Sequence, residues 1–108
     1  MTSALRPPPG FSSFARMVDY HRIKSDGLDA AVGRAADGID REHMPDFIDF
    51  VQMIIDGGAS NRQLEELWSR SPSEFFTSGA TVRQMLIHAR TVLESRGGRG
   101  RKAWMPRR

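Results

Sequence analysis

The sequence predicts an all-α protein, a small bundle of four to six helices flanked by a disordered N-terminal arm and a basic C-terminal tail. Three observations predict it. Ser-x-x-Gln, Ser-x-x-Glu and Thr-x-x-Gln capping boxes stand at Ser60, Ser71 and Thr81, each ahead of apolar residues. Apolar residues recur at helical spacings in several windows, and no stretch sustains the alternation of two that a strand needs. Gly and Pro fall at the edges of most of these windows, where they punctuate helices.

Taken in order, residues 1–10 read as an arm, because Pro7-Pro8-Pro9 removes backbone donors and favours extended geometry. Ser12 or Ser13 then caps a first helix to about Lys24, with Phe14, Met17, Val18 and His21 on its inner face. Asp26 caps a second, in which Leu28, Ala31, Val32 and Ala35 follow i, i+3, i+4, i+7, with Gly33 inside and Gly38 at its end. The clearest element starts at Pro45, a favoured first helical residue, and runs to Asp56 before Gly57-Gly58. Around it Phe47, Ile48, Phe50, Val51, Ile54 and Ile55 fill an arc of about 160°, with Asp49, Gln52 and Asp56 opposite, which marks it as the central core helix.

The box at Ser60 opens a short helix carrying Leu64, Leu67 and Trp68 and ending near Ser69. The box at Ser71, with Pro72 at its first helical position, opens a turn bearing Phe75 and Phe76. From Thr81 a last helix carries Val82, Met85, Leu86, Ala89 and Leu93 to Arg96 and stops at Gly97-Gly98. The 108 residues therefore make one domain, 11–96, with 97–108 as tail. A chain of this size buries roughly 65% of its unfolded surface, enough for a modest core without a metal or disulfide.

Composition excludes several function classes. With no cysteine there is no disulfide, thiolate nucleophile, iron–sulfur cluster or cysteine-ligated zinc. No window approaches the roughly 18 consecutive apolar residues of a membrane span, and no signal-peptide core follows the start, so a cytoplasmic protein without integral membrane association is expected. Gly-x-Ser-x-Gly, phosphate-loop, His-Glu-x-x-His and Gly-x-Gly-x-x-Gly signatures are all missing, and so short a chain has little room for a buried pocket. No catalytic activity and no cofactor are expected.

Charge is unevenly distributed. The net +3 conceals a tail with six cations (Arg96, Arg99, Arg101, Lys102, Arg107, Arg108) and no acid, beyond a body of net −3. Residues 26–56 alone set eight carboxylates against two arginines. The tail joins cations that pair with phosphates to glycines that let a backbone follow a groove and to Trp104, whose ring can stack on a base. Fourteen of the sixteen cations are arginine, which suits phosphate forks, although a GC-rich coding sequence yields the same bias. Arg83 and Arg90, seven apart on one flank of the last helix, extend this path onto the body. The competing reading is a solubilising tail and a solvated edge with an Arg90–Glu94 pair; interfacial docking of Trp104 and Met105 on an anionic membrane is opposed by the surplus of charge.

Two further constellations resolve to plainer roles. Residues 60–76 fit a helix-turn-helix, but Glu74 and two phenylalanines stand where a recognition helix needs Arg, Asn or Gln. Asp37, Asp40, His43, Asp46 and Asp49, with Glu42, offer oxygen and imidazole ligands at a period of three, which does not hold one face of an α-helix; an EF-hand register fails because Gly33, Ala35 and Met44 fall at ligand positions. No metal site is expected. The sequence thus points to a small helical binding protein, its body engaging an unidentified protein partner and its tail contacting nucleic acid or another polyanion. The alternative is a pure interaction module (inhibitor, immunity or assembly factor) with the tail incidental.

Overall fold

In the computed structural model, which describes residues 5–73 and 76–97, three quarters of the described residues are helical and none is in a strand. Six α-helices follow in order: α1 Phe11–Met17, α2 Tyr20–Asp26, α3 Leu28–Asp37, α4 Met44–Met53, α5 Asn61–Ser69 and α6 Gly79–Ser95. A 3₁₀ turn, Arg41–His43, leads into α4, and a wide π turn, Ile54–Gly58, leads out of it. Cysteines are absent, so no disulfide holds these elements together.

The core begins with aromatic rings from three helices. Phe11 meets Phe50 and Trp68 edge-on at centroid distances of 6.1 and 6.2 Å, and Phe14 meets Phe47 at 5.3 Å and Trp68 at 6.4 Å. Such tilted and edge contacts add about 0.5–1.5 kcal/mol per pair beyond the burial itself. Around them pack Val32, Ala35 and Ala36 of α3, Val51 of α4, Ile54 just beyond it, and Leu64 and Leu67 of α5. The long α6 packs against α3, α4 and α5 and buries Val82, Met85, Leu86, Ala89 and Leu93. It, rather than the helix after Pro45, is the hub, because at 17 residues it is long enough to cross several neighbours.

Several expected boundaries shift for local reasons. The single first helix is two: Val18 turns extended and is buried, and the Asp19 carboxylate accepts from the His21 N–H at 2.9 Å to start α2. Redirection there places Met17 at 45% exposure and leaves His21 exposed, off the core face predicted for both. Neither Ser12 nor Ser13 caps α1, whose N-cap is Gly10, and Gly27 rather than Asp26 precedes α3. Within the Pro45 helix the expected arc holds for Phe47, Ile48, Phe50, Val51 and Ile54, but Ile55 is 43% exposed because the π turn widens the spiral at its position. Of the expected N-terminal arm, residues 5–10 are described, and Leu5 packs against the core.

At the start of α6 the cap is Ser78, whose hydroxyl accepts from the Thr81 N–H at 3.2 Å, so Thr81 lies inside the helix. Gly79 is its first residue, and a Cβ there would sit 1.8 Å from the Asn61 carbonyl oxygen. Only glycine lets the two helix starts touch backbone to backbone. By contrast the Ser60 box forms as predicted: the Ser60 hydroxyl accepts from the Gln63 N–H at 3.1 Å, and the Gln63 side chain accepts from the Ser60 N–H at 2.9 Å.

Candidate functional site: an acid-rimmed groove beside an arginine clasp

α4 and α6 run antiparallel. Arg83, in the second turn of α6, reaches the end of α4, while Arg90 and Glu94 near its other end stand beside Ile48 and Asp49. The flank shared by Arg83 and Arg90 therefore faces two different environments.

Arg83 is drawn into the fold. Its guanidinium donates to the Ile54 carbonyl at 3.2 Å, the Ala59 carbonyl at 2.8 Å and the Asn61 side-chain oxygen at 3.1 Å. A charged fork of fixed geometry joins the Ile54 carbonyl at the end of α4, the carbonyl of the extended Ala59 after the turn, and the start of α5. Arg83 thus serves as a structural clasp at the α4–α5 corner.

Arg90 instead lines an open groove of about 530 Å³ between α4 and α6, together with Ile48, Asp49, Gln52, Met53, Asp56, Gly58 and Glu94. Its Nε lies 3.3 Å from Glu94 Oε2, the i, i+4 pair expected from the sequence, but out of hydrogen-bonding alignment. Gln52 donates to Asp56 at 2.9 Å along one wall. Three carboxylates and one guanidinium rim a floor of Ile48 and Met53, which favours a cationic ligand with an apolar side chain. The acids of α4, which the sequence assigns to its solvent side, are thus one wall of a cleft. A helical wheel gives their direction but not that α6 rises beside them.

Arg96, the first cation of the expected tail site, is exposed and paired with Asp37 at the end of α3. Arg99, Arg101, Lys102, Trp104, Arg107 and Arg108 lie outside the described residues. After α5 the chain does not enter a second short helix at the described positions; Ser71 instead turns its hydroxyl back to the Trp68 carbonyl at 2.6 Å, and the next helix is α6. Glu74 and Phe75 are also outside the described residues, and Phe76 is 83% exposed.

The acidic run behaves differently from expectation at one point. Asp40, Glu42 and His43 bring their ligand atoms within 4.8 Å of one another. They do so because the 3₁₀ turn has three residues per turn, so Asp40 and His43 eclipse, the period an α-helix would have scattered. Three donors on an open turn fall short of the four that structural zinc takes and the six to eight of calcium. No helix among the described residues is long and apolar enough to cross a membrane. No protein family, curated protein or solved structure matches the chain.

Proposed function

We propose that the chain is a non-catalytic binding protein of the cytoplasm, whose helical body takes up a protein partner in the α4–α6 groove while its arginine-rich C-terminal segment contacts nucleic acid or another polyanion. The observation that carries this reading is the make-up of the groove: an apolar floor under an acidic rim, with no hydroxyl, thiol or imidazole among its lining residues. Such a lining suits docking, in which the floor covers a partner's apolar side chain and the rim receives its cations.

Charge divides the two contacts. A body of net −3 repels phosphates and attracts basic protein segments, whereas residues 98–108 carry five cations and no acid. Arg96 is held by Asp37, but an exposed pair is worth about 1 kcal/mol or less, so a phosphate can compete for it. Five or six contacts give a log–log salt slope for single-strand binding between about −3.5 and −4.2, at roughly 0.7 counterions per contact.

The test is a salt titration of a labelled single-stranded oligonucleotide against the full chain and against a chain ending at Arg96. A slope in that range, abolished by the deletion, supports the polyanion contact; equal binding by both removes it. A pure interaction module remains the second reading, supported by the groove being built from the body alone. It predicts that a partner's affinity falls with Asp49→Lys or Asp56→Lys and is indifferent to the tail.

A further inference from the structure

The groove and the C-terminal segment carry opposite halves of one chemistry, and the chain leaves α6 beside the place where they would meet. Glu94 lines the groove one residue before α6 ends at Ser95. Gly97 then takes φ +88°, a left-handed conformation that turns the chain off the helix axis. The next eleven residues include no acid, five cations and the adjacent pair Trp104-Met105. Seven extended residues from Gly97 to Trp104 span about 23–25 Å. The groove wall from Ile48 to Asp56 is only about 12 Å long at 1.5 Å per residue, so its whole length is within reach.

We propose that this groove is the docking site of the chain's own C-terminal segment, Trp104 and Met105 covering the floor of Ile48 and Met53 while the flanking cations face Asp49, Asp56 and Glu94. An aromatic side chain has a large apolar payload, and the groove that holds this floor is lined by Glu94, two residues before Arg96. The consequence is competition. The same cations serve the groove and a polyanion, so a bound polyanion withdraws the segment and opens the groove, and an occupied groove weakens polyanion binding by the same factor. This deepens the reading of the groove as a docking site and does not depend on the polyanion contact being real.

Trp104 supplies the readout, because the other tryptophan, Trp68, is 1% exposed and shielded from a neutral quencher. Acrylamide quenching of the full chain should find Trp104 protected relative to a synthetic peptide of residues 98–108. Protection should disappear in roughly 0.5 M NaCl, which shortens the screening length to a few ångströms and needs no substitution. It should also disappear in Asp49→Asn/Asp56→Asn/Glu94→Gln, yet survive in Asp29→Asn/Glu65→Gln/Glu66→Gln, which removes the same charge away from the groove. If the segment is docked four-fifths of the time, freeing it tightens oligonucleotide binding about fivefold, and only in the groove variant.

Trp104 quenching as freely in the full chain as in the peptide would overturn the proposal. So would equal behaviour of the two triple variants, which reduces the effect to net charge, or protection that grows with protein concentration, which assigns the groove to a second copy. Absence of oligonucleotide binding, with Trp104 still protected, would instead remove the polyanion reading and leave the docking in place.

Discussion

The two ends of α6 present the same side chain to different surroundings. Arg83 and Arg90 lie seven residues, about two turns, apart on one flank. At the first end the helix start presses on the backbone of Asn61 through Gly79, and three acceptors close around the Arg83 guanidinium. At the second end Arg90 pairs with Glu94 and borders an open groove. Side-chain type and helical phase are shared, so the difference comes from what stands opposite: a corner that offers two main-chain carbonyls in one case, the polar wall of α4 in the other. An arginine becomes structural where a fold leaves carbonyls for it, and remains available for recognition where it does not.

The closed end offers the largest way to break this contrast. Gly79→Ala drives a methyl into a main-chain carbonyl that no rotamer change can move, and should cost about 3 kcal/mol in urea unfolding. A loss under half of that would mean that α6 and α5 separate readily, and the clasp is not rigid. Arg83→Ala leaves the Ile54 and Ala59 carbonyls without their charged donor; with the site partly hydrated, about 2 kcal/mol is expected by the same measurement.

At the open end, Arg90→Met keeps the aliphatic stem and removes only the pair with Glu94, so stability should change by less than about 0.5 kcal/mol. A loss matching that of Arg83→Ala would erase the distinction between the two ends. The smallest effect belongs to the turn before α4. Calcium, magnesium or zinc at micromolar concentration should leave the melting temperature unchanged, because Asp40, Glu42 and His43 are three donors on an open turn, short of a closed four-ligand zinc site and of the six to eight oxygens that calcium takes. A rise of several degrees that Asp40→Ala removes would establish a metal site there.

Helix content and most of the core were legible because apolar spacing reports burial directly. The Ser60 box shows how local chemistry survives into the fold, since both of its bonds lie within four residues. Asp19 was the missed signal in the first segment: an Asp inside an apolar helical pattern can be a solvent-side residue or a new cap, and only the burial of an extended Val18 decides between them. Spacing of three in the acidic run misses an α-helical face, yet the turn there is 3₁₀ and converts that spacing into convergence of Asp40, Glu42 and His43. Gly79, a residue type that weakens helices, is the contact that seats α6. The groove was least legible, since it exists only where α4 lies antiparallel to α6.

The Arg83 clasp also bears on time. Its three bonds reach partners 22, 24 and 29 residues away in the chain, so Arg83 meets none of them until the α4–α5 corner and the start of α6 are both in place. A contact that forms so late belongs to the descent from the folding barrier rather than the climb. Its about 2 kcal/mol should therefore appear almost wholly as a slower escape from the folded state, roughly a thirtyfold longer lifetime, with the refolding rate left as it is without the guanidinium.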